Sequence, residues 1–155
     1  MNKKEIGNAI EKCNFFIGLQ PDDIRKVATL CEAQTYNVGE YVFRQGDLGE
    51  SLFIIVEGQV YLERATDLGA RKGSVVIDIM GKGRFLGCWS TILGEPHILM
   101  SSACCQTPTK IVTFKGADLR QLMHDHGEFG FNILERLCFL LRERIQAAYG
   151  ALEKI

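Results

Sequence analysis

The sequence predicts a mainly β domain flanked by helices, and three observations carry that reading. Ten of the sixteen glycines fall between Gly39 and Gly94, where they punctuate short apolar segments. At residue 34 the apolar period changes from helical spacing to short runs and alternation, and beyond residue 115 it changes back. Within the β region the segments are rich in β-branched and aromatic residues. Many short strands with regular glycine turns argue for a β-sandwich or a jelly roll.

Taken in order, residues 6–12 read as a short helix with Ile6, Ala9 and Ile10 on one face. Residues 13–19 are apolar, centred on Phe15-Phe16-Ile17. Gln20-Pro21-Asp22-Asp23 is a helix start: proline suits the first turn and the acids complement the helix dipole. Ile24, Val27, Ala28, Leu30 and Cys31 supply its apolar stripe. Residues 34–36 lead to a turn at 37–40, and 41–44 form a strand. A turn at 45–50 follows. Residues 51–57 form a buried strand carried by Leu52-Phe53-Ile54-Ile55-Val56. Gly58 breaks it and residues 59–64 alternate. A hairpin loop over 65–73 contains Gly69, Arg71, Lys72 and Gly73, and 74–80 is the next strand. Residues 98–105 and 109–114 are two more strands about a Thr107-Pro108 turn, where a residue without an N–H is tolerated. A short helix begins at Gly116-Ala117-Asp118-Leu119 and reaches Met123. His124-Asp125-His126-Gly127 breaks it, and a longer helix runs from about residue 128 to about 151.

The 155 residues suit one domain, divided into a helical segment (1–33), a β region (34–115) and C-terminal helices (116–155). A formal net charge of −1 leaves no basic excess for nucleic acid. No apolar run approaches membrane-spanning length, and Met1-Asn2-Lys3-Lys4-Glu5 has no apolar signal core behind it, so the reading is a soluble, cytoplasmic protein. None of the six cysteines forms a C-x-x-C pair, which argues against a zinc or redox motif and for reduced thiols. Cys31 and Cys138 lie in helical patterns as small core residues. Cys104 and Cys105 are neighbours on a strand and point to opposite faces. No nucleophile elbow, Walker motif or H-E-x-x-H occurs, so no enzyme is expected and no metal site is assigned.

The last helix carries a second pattern. Leu134, Cys138, Leu141, Ile145, Ala148 and Leu152 are spaced four, three, four, three, four, which is a heptad seam. Phe131, Leu137 and Leu140 lie on another face and are expected to dock on the β region. A helix apolar on two faces needs two partners. Its own domain is one, and a second copy of the chain is the other: a homodimer.

The stretch Gly81-Lys82-Gly83-Arg84-Phe85-Leu86-Gly87-Cys88-Trp89-Ser90, continuing through Gly94-Glu95-Pro96-His97 to Ala103, has glycine turns around a short segment of mixed polarity. Backbone amides gathered at such a turn cradle anions. Together with Phe15-Phe16-Ile17-Gly18-Leu19-Gln20-Pro21-Asp22-Asp23, Tyr36-Asn37-Val38-Gly39-Glu40-Tyr41-Val42-Phe43-Arg44-Gln45-Gly46-Asp47 and Ser51-Leu52-Phe53-Ile54-Ile55-Val56-Glu57-Gly58-Gln59-Val60, it resembles the cyclic nucleotide-binding domain. That family includes the sensor half of catabolite activator-type regulators and regulatory subunits of protein kinase A. The resemblance implies an eight-stranded jelly roll between N-terminal helices and two C-terminal helices, a role in signal transduction, and cAMP or cGMP as ligand. It implies a phosphate-binding cassette over residues 83–105, with ligand contacts at Gly83, Phe85, Leu86, Gly87, Cys88, Trp89, Ser90, His97, Ser101 and Ser102. It implies that residues 116–151 move on binding, toward an unknown regulatory partner. Activator-type relatives place a DNA-binding domain after this helix; this sequence stops at Ile155, so DNA binding by itself is not expected.

The cassette departs from the family at both polar positions. Cys88 stands where the family has the glutamate that holds the ribose hydroxyl; where the family has the arginine that pairs with the phosphate, an ungapped alignment places His97 and a shifted register Ile98, Leu99 or Ser101. A forked guanidinium makes charge-assisted bonds worth about 1.5–3 kcal/mol. Losing both groups lowers nucleotide affinity by about two to four powers of ten. The alternative is a sensor of the same fold for another ligand — redox, haem or metal — at Cys88, Trp89, His97 and the Cys104-Cys105 pair, or a pocket filled by its own side chains.

Overall fold

The computed structural model describes residues 1–67, 69–70 and 72–153, the side chain of Ala151 excepted. Two four-stranded antiparallel sheets form the jelly roll. One has the order β1 (Glu32–Tyr36), β10 (Thr109–Lys115), β4 (Ser51–Glu57), β7 (Phe85–Gly87). The other has the order β2 (Tyr41–Phe43), β9 (Ser102–Cys105), β5 (Val60–Asp67), β6 (Lys72–Met80). A two-stranded ribbon, β3 (Leu48–Gly49) with β8 (His97–Ile98), adds to the eight. Helices α1 (Lys3–Lys12), α2 (Pro21–Ala28), α3 (Gly116–Asp125) and α4 (Gly127–Leu152) flank the strands. No helix among the described residues is long and apolar enough to cross a membrane.

The unbroken apolar run in β4 has a simple cause: the strand is buried on both faces. Phe53 and Ile55 join Val60, Met80, Leu86, Ala103 and Ile111 in the core between the sheets. Leu52 and Ile54 point the other way, into a core shared with the helices, where Phe15 stacks on Phe85 at 4.5 Å between centroids. Strand side chains alternate, so one such run serves two cores.

Helix α1 begins at Lys3, earlier than the apolar spacing predicts, because Asn2 and Glu5 form a capping box. The Glu5 N–H donates to Asn2 Oδ1 at 2.9 Å, and the Asn2 N–H donates to Glu5 Oε2 at 2.8 Å. Beyond its end Cys13 is fully buried, and burial pushes its thiol up from 9.0 to about 11. Burial pushes Cys31 the same way, to about 12. An unfolded chain loses the Cys13 proton near 9.0, whereas the folded chain keeps it to about 11. The native state therefore binds more protons in that window, and stability falls as pH rises through it. For Cys13 the full loss is about 2–3 kcal/mol. The urea midpoint is expected to drop between pH 9 and 11 and to drop less in Cys13→Ala; equal slopes in the two proteins would refute this account.

Several boundaries differ from the sequence reading. The 65–73 loop is shorter, because pairing of Thr66 with Gly73 and Asp67 with Lys72 extends the β5–β6 hairpin; Arg71 lies outside the described residues. The 45–50 turn contains β3. The single strand expected over 98–105 is two, since β8 pairs with β3 while β9 pairs with β2 and β5. Strand β1 begins at Glu32, inside the segment expected to be helical. Helix α3 continues through Asp125, leaving only His126 between the helices.

Helix α4 docks through Phe129, Ile133 and Leu137, all buried, with Leu140 partly buried. Phe131, expected on that face, is 65% exposed: its neighbour at the i−2 position, Phe129, takes the core position instead. Cys138, expected in the core, is exposed because it lies on the outward seam. Leu134, Ile145 and Leu152 on the same seam are also exposed, while Leu141 is half-buried against the helical core.

Candidate functional site

The cassette is built by β7, a 3₁₀ segment Trp89–Leu93, β8 and the bend that follows. Gly87 ends β7 at φ +113°, and a Cβ there would stand 2.6 Å from the Ser51 carbonyl. Only glycine lets β7 approach β4 so closely and still turn into the 3₁₀ segment. The Arg120 guanidinium, on α3, donates to the Ile92 carbonyl at 3.0 Å and ties the C-terminal end of that segment to the helices.

These elements enclose a cavity of about 450 Å³ between the second sheet and α4, within the usual range for small-molecule sites. Of the residues expected at the site, Phe85, Leu86, Gly87, Cys88, Trp89, Ser90, His97 and Ser101 line it. Gly83 and Ser102 do not. Gly83 forms a separate turn whose N–H donates to the Ile55 carbonyl at 2.8 Å, and the Ser102 hydroxyl accepts from the Gln45 N–H at 2.8 Å. Trp89 is half-buried against the helical core while still bordering the cavity.

The polar groups of the lining are largely engaged with one another. The Ser90 hydroxyl donates to the Glu95 carbonyl at 2.7 Å, so in its 3.2 Å contact with Cys88 the thiol is the donor. His97 Nδ1 lies 2.8 Å from the Ile98 carbonyl and must carry the hydrogen there. A neutral ring then presents Nε2 as an acceptor, the wrong polarity for a phosphate. Among the described residues no three His, Cys, Asp or Glu side chains converge as a metal-binding group. Cys104 and Cys105 are buried away from this lining, and burial pushes the Cys105 thiol up.

Eight lining residues were not assigned from the sequence: Phe43, Leu62 and Met80 on the second sheet, Ile98, Leu99 and Met100 within the cassette, and Leu140 and Arg144, one turn apart on α4. The heptad seam drew attention to the other face of this helix. Leu140 was placed on the docking side, and an arginine four residues further along that side was the available signal.

A β jelly roll with a cassette whose cavity is roofed by a C-terminal helix defines a class of ligand-responsive regulatory domains. Within it, this chain belongs to the cyclic nucleotide-binding domain family, whose sequence model matches residues 33–126. A cGMP-dependent protein kinase, egl-4 of Caenorhabditis briggsae, is 28% identical over 151 residues, which is 90% of this chain and 18% of the kinase. The chain thus spans under a fifth of that relative's length. The crystal structure of the Thermus thermophilus catabolite activator protein is 26% identical, with a TM-score of 0.74 over 90% of this chain and 61% of that one. A cyclic nucleotide-binding domain from Methylobacillus flagellatus KT shares the fold, with a TM-score of 0.79 at 23% identity over 99% of this chain and 84% of that one.

Proposed function

We propose that the chain is a non-enzymatic sensor domain, a single regulatory unit over residues 1–155, in which a small ligand in the cavity changes the seating of α4. The observation that carries this is the shared lining: Leu86 and Cys88 come from the cassette, Leu140 and Arg144 from α4. A ligand there touches both elements at once. It shifts α4 only by its difference in affinity for the two seatings. The cGMP in the kinase relative's name supports cGMP, and membership of the cyclic nucleotide-binding family supports cAMP beside it, as the ligands to test first. With no carboxylate at position 88 and no guanidinium at 97, both bind weakly. Calorimetric titration of the purified protein is expected to show no saturation below about millimolar nucleotide. Micromolar binding would show that the backbone cradle suffices and that the chain is a true nucleotide sensor.

The output is proposed to pass through a homodimer along α4, to a regulatory protein whose identity is open, in the cytoplasm. The exposed seam of Leu134, Cys138, Ile145 and Leu152 supports the dimer. Wild-type protein is expected to have twice the chain mass by light scattering, with Cys138 slow to react with a thiol reagent. Leu141→Asp with Ile145→Asp is expected to give a monomer in which Cys138 reacts quickly. A monomeric wild type, or a variant that stays dimeric, would exclude this seam.

A further inference from the structure

The cavity's lining has a composition unsuited to a sugar and suited to something else. Among the described residues, the sixteen that line it include no aspartate or glutamate, and the one permanent charge is Arg144. Most of the rest is large and apolar, with Leu62, Met80, Leu86 and Leu99 among them. At the mouth, Ile98 and Met100 are 51% and 60% exposed, apolar surface that a ligand would cover.

Among the described residues, Arg144 makes no hydrogen bond or ion pair, unlike three other arginines of this region. Nearby, Arg84 pairs with Asp78 at 3.0 Å, Arg136 donates to the Phe15 carbonyl, and Arg64 donates to the Met100 carbonyl. Arg142, two residues away, lies over the Phe139 ring. Among the described residues no carboxylate lies within ion-pair distance of Arg144, although Glu143 and Asp78 border the adjoining cavity that it also lines. A guanidinium on an apolar cavity, with its donors uncommitted, fits a planar carboxylate by two parallel bonds. The hydroxyl and thiol protons of Ser90 and Cys88 are already donated within the protein, which leaves the sugar hydroxyls of a nucleotide poorly served.

We infer that the cavity binds a small organic acid, with an aromatic or branched apolar body against the sheet side chains and its carboxylate on Arg144. This rests on the sensor reading above and names its ligand class. It also assigns the cationic contact to α4, so that the head group of the ligand, and not only its bulk, draws on the helix.

The test is calorimetric titration of the intact protein with phenylacetate, 4-phenylbutanoate and 4-methylpentanoate, each beside its primary amide. At least one acid is expected to bind about tenfold or more tightly than its amide, the scale of a single charge-assisted contact. Arg144→Gln is expected to erase that preference and Arg144→Lys to keep part of it. Arg142→Gln, outside the lining, is expected to retain it. No acid binding at millimolar concentration, acids no better than amides, or a preference that survives Arg144→Gln overturns the inference. The rate of Cys138 modification is read in parallel. Amides and acids that bind alike and both change this rate would leave the sensor reading standing without the acid. Acid binding through Arg144 with no change in rate would uphold the site and remove the sensor reading.

Discussion

Gly116→Ala is expected to lower stability by about 3 kcal/mol or more and Tm by about 6–12 °C. Gly116 opens α3 against the cassette, and its N–H donates to the Glu50 carbonyl at 3.0 Å. A Cβ there would lie 1.7 Å from Thr91 Oγ1 and 2.3 Å from Thr91 Cβ. A new rotamer can withdraw the hydroxyl but not Cβ. Withdrawing the hydroxyl would also break its 2.7 Å bond to the Cys88 carbonyl, at a residue only 3% exposed. Relief therefore requires α3 to lift from the 3₁₀ segment. The same substitution at Gly150 meets nothing within 4 Å and lies inside α4. Gly150→Ala is expected to stabilise by about 0.5–1 kcal/mol through helix propensity alone. Thermal melts of the two variants should move in opposite directions. A neutral Gly116→Ala would mean that α3 is not seated tightly on the cassette.

That junction shows where the sequence was legible and where it was not. The β character, the turns and both helical ends were readable, because periodicity and glycine spacing are local. The Leu52–Val56 run announced a buried strand, and the structure adds that both of its faces are covered. The split of residues 98–105 was invisible, since it depends on β8 and β9 having different partners. The 65–73 stretch looked like a loop because its glycines and basic residues suit one, yet cross-strand pairing holds much of it in β5 and β6. The cassette was found through its motif order, and eight of the ten residues assigned to it do line the cavity. Gly83 lies off this lining because its turn is held by the Ile55 carbonyl, a contact that no local pattern encodes. Arg144 was missed because it joins the site by the docking angle of α4, which no local pattern encodes. The thiol of Cys88 being tied to Ser90 likewise depends on the geometry of the 3₁₀ segment.

Cys88→Glu combined with His97→Arg is expected to raise affinity for cAMP or cGMP by about a hundredfold to ten-thousandfold over wild type. The two positions are neighbours in space: His97 pairs with Gly49 across the ribbon, and a Cβ built on Gly49 would lie 2.5 Å from Cys88 Cβ. Without ligand, the introduced carboxylate and guanidinium would therefore face each other. An ion pair near the surface is worth about 0–1 kcal/mol, so it competes only weakly with a phosphate, which the guanidinium grips by charge-assisted bonds. The carboxylate supplies the acceptor that the lining lacks for a ribose hydroxyl. His97→Arg alone should give the larger part of the gain, because it meets the ligand's full charge; Cys88→Glu alone should give none, because it adds a negative charge near an anion. The order of the single variants thus tests the geometry as well as the affinity. If the folded double variant gains nothing, position 97 does not face the phosphate, or Trp89 occupies its space, and Trp89→Ala in the same background separates the two: binding that appears only then identifies the indole as the obstruction.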